Sequence, residues 1–421
     1  MYNGLSLDQA PPLSVVLRFF LTVPLFGLAL SILIFINPHA ILIPNHPLSL
    51  AAIHLMFLGI ITMSMIGALF QMQSVLGGRA IPSPMGNAFL IHLFLVIGVL
   101  ALSGAFIFTQ PILFVIASVF LGASILYSAN IILPLLFGGV THETLRGMRL
   151  ALIALSLTAI LGIIMASEYA NETFSASHDL LRNIHYSFGL IGWVAALIIA
   201  VAFQVIEMFY VTTAYSSWCK RNAFRVIAAS LIIKMIWLTA GLAFVWVFDL
   251  VIGALLVGFI VTTAKRLKER KRRVSDVSIW FWAFAMALLT LSIIMYALFT
   301  YSTYAPFLSM ALIAFALFAL AVILAMMGKI VPFLVWFHLN AAGYMETPIM
   351  SNIIPIARVK ILFYLFGITV MCTLSGVFYP EMLHLGAFSG GAMFTLLLIN
   401  LIKALKLYRN TLIHGTRFEQ L

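Results

Sequence analysis

Apolar residues do not alternate along this chain or recur on one face of a helix; they run on in blocks of about twenty, broken by short polar or Gly/Pro-bearing stretches. Blocks of that length match the hydrocarbon thickness of a bilayer. They predict twelve spans, approximately 14–36, 50–72, 88–109, 112–138, 148–167, 181–212, 223–243, 246–264, 278–300, 305–331, 355–378 and 385–408. The connections are mostly short, the most hydrophilic being Lys265 to Asp276, and none is long enough for a separate soluble domain. The reading is an all-α polytopic membrane protein forming one transmembrane domain, residues 1–421. A composition of 64% hydrophobic and 8% charged residues excludes a soluble globular domain of this length.

Charge sets the expected orientation. With the N-terminus inside, 21 of the 23 Lys and Arg residues fall on the cytoplasmic side, leaving Arg182 outside and Lys234 within a span. This is the positive-inside bias, and it places both termini in the cytoplasm of a bacterial inner membrane. The run Lys265-Arg-Leu-Lys-Glu-Arg-Lys-Arg-Arg273 then anchors to anionic lipid, so the net charge of +11 is topological and calls for no nucleic acid. The opposite face carries Glu168, Glu172, Asp179, Asp249 and Glu381. Cys219 and Cys372 lie at different levels and are not expected to pair, and neither belongs to a C-x-x-C-H haem-attachment pattern. The first span has no small-residue cleavage site and reads as a retained helix.

Three spans share a pattern. Ala68-Leu-Phe-Gln71, Ala202-Phe-Gln204 and Met327-Gly-Lys329 each close a long apolar helix of the same direction, in spans two, six and ten. The chain therefore divides into three pseudo-repeated four-helix units, about 1–140, 141–276 and 277–421. In the first two units a histidine stands near the other end of the same helix: His54 seventeen residues before Gln71, and His185 nineteen before Gln204. Those separations correspond to roughly 26 to 29 Å of helix. An ionisable ring repeated at one membrane depth is a candidate site, and neutral imidazole is a good ligand for haem iron or copper. The third unit has Met310, Ala311 and Leu312 at the equivalent level.

These features resemble subunit I of the haem-copper oxidase superfamily, with twelve spans in three arcs and ligand histidines near the outer ends of helices two and six. By position, His54 in Ala52-Ile-His54-Leu-Met-Phe-Leu-Gly59 resembles the haem ligand of helix two, and His185 in Arg182-Asn-Ile-His185-Tyr-Ser-Phe-Gly189 the metal ligand of helix six. Span seven has no histidine and span ten no His-x-His; His338 falls past its end. A complete oxygen-reducing binuclear centre is therefore not implied. The chain is closer to divergent relatives of the NnrS type, in which a histidine is followed by a small-residue-rich helix and a Gly-Arg turn, as in His54 through Gly78-Arg79. That resemblance implies haem b, with copper as a further metal, and a role in electron transfer with a quinone or small redox protein, or in nitric-oxide response.

At the cytoplasmic ends, Gln71, Gln204, Glu207 and Lys329 read as a polar lock between helices or a proton path, with Lys234 deeper. Lys234 needs a counter-ion, for which Glu207 or a haem propionate is the expected partner. Tyr186, beside His185, points about 100° away from it on an α-helix. His92 and His142 lie at the wrong level to join His54, whereas His39, His46 and His384 are loop residues on its side. Met56, Met63, Met65 and Met72 cluster on span two, and thioethers suit Cu(I), which keeps a rival reading open: a transporter of copper or another small solute.

Overall fold

The computed structural model describes residues 9–138, 143–271 and 276–418. Among them, twelve helices are long and apolar enough to cross a bilayer. We number them α1 (Leu13–Ile36), α2 (Pro47–Gly77), α3 (Pro84–Phe108), α4 (Pro111–Phe137), α5 (Glu143–Ala170), α6 (His178–Tyr210), α7 (Ser217–Thr239), α8 (Trp246–Lys268), α9 (Val277–Ser302), α10 (Ala305–Ala341), α11 (Ile356–Gly376) and α12 (Met382–His414). No strand occurs among the described residues; one isolated bridge joins Tyr344 and Arg417. The protein is thus an all-α, multi-pass membrane protein. His142, and Arg272 and Arg273 of the basic run, lie outside the described residues.

Several helices extend past the spans predicted from hydropathy, because a helix continues into residues too polar to register as membrane-embedded. α10 runs 37 residues, and α12 ends at His414 instead of 408. Proline and glycine mark many of the ends: prolines open α2, α3 and α4, where a missing N–H costs nothing, and Gly78 closes α2 at φ 63°.

The three pattern-bearing helices occupy the centre. Their most apolar windows are 67%, 72% and 67% buried for α2, α6 and α10, against at most 50% for any other span. Their burial explains why they are apolar all round, with no polar face to give to solvent. α1 packs on α2 and on α12, so the first and last spans meet; α9 pairs closely with α10, and α5 with α6. Gly27 lets α1 and α12 approach, since a Cβ there would stand 2.4 Å from the ring of Phe394.

Candidate functional site: a pair of level histidines

α2 and α6 share an irregularity that hydropathy did not reveal. Immediately after His54, residues Leu55–Thr62 form a π-helix, and three residues after His185, Phe188–Ala195 form another of the same length. π-Helix is rare, and where it interrupts an α-helix it is frequently at a functional site. The sequence reading expected unbroken helices here; they are unbroken but wound wide. In α10, Ala305–Ala341 is α-helical throughout.

The two π-segments are tied together. Trp193 donates its indole N–H to the Thr62 hydroxyl at 3.0 Å, with both side chains fully buried. Two glycines bring the segments close to their neighbours. A Cβ on Gly59 would lie 2.7 Å from the Phe26 ring, and one on Gly192 would lie 2.6 Å from Ala154.

This packing sets the rings of His54 and His185 level with each other. Their centroids are 6.5 Å apart and the planes are inclined by 44°. Nδ1 of His54 lies 2.7 Å from the Leu50 carbonyl oxygen, and Nδ1 of His185 lies 3.0 Å from that of Thr158 on α5. A carbonyl only accepts, so each Nδ1 carries the proton and donates it. In the neutral ring this leaves the lone pair on Nε2, the form in which imidazole binds a metal, and the backbone contact orients the ring. Neither Nε2 makes a hydrogen bond among the described residues.

Aromatic rings wall the pair. His54 stacks on Phe106 of α3 at 5.5 Å, and a run of edge and stacking contacts continues through Tyr169 and Phe174 to His178. His178 Nδ1 bonds the Glu168 carboxylate, which also accepts from the backbone N–H of Ser175 at 3.2 Å, tying the end of α5 to the start of α6. Space for His185 depends on Gly162: a Cβ there would be 3.2 Å from its Cε1. Tyr186 plays no part in orienting His185, because its hydroxyl donates to Asn183.

No family model matches this chain, and no curated protein does. The site must be judged on its own chemistry.

A ligand set of two fits a narrow class of centres. No group of three or more His, Cys, Asp or Glu side chains capable of holding a metal occurs among the described residues. Two imidazoles sharing one metal along a straight line have ring centres on the order of 6 Å apart, because each metal–nitrogen bond is about 2.0–2.1 Å. The observed 6.5 Å agrees. A haem supplies four further nitrogens itself, so two axial imidazoles complete its coordination. Two imidazoles are thus a sufficient protein donor set for haem iron or for linear Cu(I), whereas Zn(II) or Cu(II) would need further ligands.

The remaining sequence candidates separate by depth. Gln71 and Gln204 do converge, both lining a cavity of about 60 Å³ between α2, α6 and α10. Gln71 Oε1 is buried there without a hydrogen-bond partner among the described residues. Glu207 is engaged elsewhere: Lys220 pairs with it at 2.6 Å and the Tyr215 N–H donates to it at 2.8 Å. Burial raises the Tyr215 phenol far above its ordinary pKa, so it stays protonated, sharing a hydrogen bond with Thr263 at 2.9 Å. Lys329 is ion-paired with Asp276. Glu207 and Lys329 are thus held in ion pairs near the helix ends.

Lys234 requires a correction. It does not sit at the glutamine end, nor is its partner Glu207. It lies five residues before the end of α7, at the histidine end of the bundle, and its ammonium is 2.5 Å from Asp249 in the first turn of α8. The Tyr296 hydroxyl donates to the other carboxylate oxygen at 3.2 Å. Of the remaining histidines, His92 meets the Thr22 hydroxyl at 2.7 Å, and His39 and His384 flank Glu381 at 3.1 and 3.4 Å.

Proposed function

We propose that this chain is a b-type haem protein of the bacterial inner membrane, in which His54 and His185 would hold the haem iron and the centre would carry electrons. The positive-inside bias puts the histidine end outward and both termini in the cytoplasm. The observation that carries the reading is the pair of imidazoles 6.5 Å apart, each with Nδ1 committed to a carbonyl. Haem bound there would supply one-electron chemistry, and with both histidines engaged it would favour electron transfer over gas binding.

The chain's own residues do the rest. The Leu50 and Thr158 carbonyls hold the Nδ1 protons and fix which nitrogen faces the metal. The Thr62–Trp193 bond keeps the two ligand helices in register. Phe106, Tyr169 and Phe174 exclude water from the outer side. The electron partner is a quinone or a small redox protein reached from the membrane or its outer face. Nitric-oxide handling, implied by the NnrS resemblance, would need one of the two histidines to be free of the metal.

The deciding experiment is a pyridine haemochrome assay with reduced spectra, with and without carbon monoxide, on the wild type, His54→Ala and His185→Ala. We expect a b-type spectrum unchanged by carbon monoxide in the wild type, and haem loss in each variant. Folded wild-type protein without haem after haem-replete expression would overturn the reading. A carbon monoxide shift in the wild type would replace electron transfer with gas handling. Solute uptake into vesicles by a haem-free protein would install the transporter alternative.

A further inference from the structure

On the flank of the bundle, far from the histidines, α1 and α3 hold between them an arginine without a counter-charge. Arg18 and Phe89 are each the sixth residue of their helices, about 8 Å of helix inside the glutamine end. The guanidinium carbon of Arg18 lies 5.1 Å from the centroid of the Phe89 ring. Its Nη1 is buried with no hydrogen-bond partner, and Arg18 makes no ion pair among the described residues. Cations elsewhere in the bundle differ: Lys234 has Asp249, Lys329 has Asp276, and Arg149 donates to the Leu136 carbonyl at 3.0 Å. The polar groups beside Arg18 are spent on one another, since the Thr22 hydroxyl donates to the Arg18 carbonyl at 3.1 Å and meets His92 at 2.7 Å.

Charge and surroundings narrow the occupant. Arginine stays charged at any physiological pH, and a charge at the depth of a membrane span needs a partner. Leu25 and Ile32 follow Arg18 at seven-residue intervals, two helical turns each, and are 52% and 59% exposed. Phe89 and Leu93 of α3 are exposed as well, so the arginine stands at the head of an apolar strip that faces hydrocarbon. An anion reaching it from that side carries apolar chains, and a phosphodiester offers the planar fork two oxygens. A zwitterionic headgroup brings its own ammonium, which already neutralises the phosphate; an anionic headgroup leaves that charge for Arg18.

We propose that the groove between α1 and α3 binds one anionic phospholipid, its phosphate on the Arg18 guanidinium and an acyl chain running past Leu25. The inference is independent of the haem reading. With the orientation set by the positive-inside bias, the lipid belongs to the cytoplasmic leaflet.

The test is native mass spectrometry of the intact protein in detergent, titrated with phosphatidylglycerol or with phosphatidylethanolamine of the same chains. We expect the first phosphatidylglycerol to bind at least tenfold more tightly than phosphatidylethanolamine. That preference should vanish in Arg18→Gln and persist in Arg409→Gln, which removes an equal charge from an exposed position near the same end of α12. Equal affinity of the wild type for the two lipids overturns the proposal, as does an unchanged preference in folded Arg18→Gln protein. An equal loss in Arg409→Gln overturns it in favour of diffuse attraction to the basic face. Displacement of the lipid by glycerophosphoglycerol, the same headgroup without chains, overturns it in favour of a site for free phosphate esters. If Arg18→Gln does not fold, Phe89→Leu takes its place, and the wild-type ratio still decides.

Discussion

α2 and α10 are both central, both about two-thirds buried in their apolar windows, and both strongly apolar. Yet α2 carries a histidine followed by a π-helical segment, and α10 has Met310, Ala311 and Leu312 at that depth and stays α-helical over all 37 residues. α6 sides with α2. The difference teaches that burial and apolarity make a central helix, whereas the coupling of imidazole to a widened turn makes a site. Two of three equivalent positions acquired it, and those two face each other.

The strongest way to break the contrast is to remove a ring. His54→Ala or His185→Ala is expected to abolish haem binding, read as loss of the Soret band in protein that still elutes as a folded monodisperse species. Deleting one residue within Leu55–Thr62 goes almost as far. It converts the wide turns toward α-helix and rotates His54 by about 100° relative to the lower part of α2. We expect haem loss with helicity retained by circular dichroism; a variant that still binds haem would show the π-segment to be incidental.

The Lys234–Asp249 pair supports the same end of the bundle. Asp249→Asn leaves a buried ammonium without its counter-charge, expected to cost about 3–5 kcal/mol. The double variant Lys234→Met/Asp249→Leu should recover most of that in a thermal-melt comparison. A single variant as stable as the wild type would remove the pair from the account. Smaller still is Thr62→Val, which orphans the Trp193 N–H for about 1–3 kcal/mol. It should also alter the haem's electron paramagnetic resonance g-values if the bond sets the register of the rings. Met310→Ala, at the matching depth of α10, should leave the haem spectrum unchanged, and any spectral shift there would dissolve the contrast between the helices.

Much of this was legible in the chain itself. Twelve blocks of apolar residues gave twelve spans, and the seventeen- and nineteen-residue spacings from histidine to glutamine put His54 and His185 at one depth, where the structure brings them within 6.5 Å. The π-segments were not legible: Leu-Met-Phe-Leu-Gly-Ile-Ile-Thr is apolar in every direction, so one extra residue per turn disturbs no pattern. Nor was the Thr62–Trp193 bond, which joins positions 131 residues apart. Lys234 could have been paired correctly. α7 and α8 form an antiparallel hairpin, and five residues before its tip on one side stands level with the first turn on the other. Reading Lys234 by its place in the hairpin, not by its distance from the nearest acidic residue in an earlier helix, leads to Asp249.

The contact between α1 and α12 has a bearing on how the protein is made. The first span to leave the ribosome cannot find its last neighbour until translation is almost finished, whereas the two imidazoles are both in the membrane once six spans have emerged. At about 5–20 residues per second, that interval lasts many seconds. A half-built protein thus holds both imidazoles in an open crescent, and under the proposed function a bulky prosthetic group would have its easiest entry then, before the final helix seals the circle.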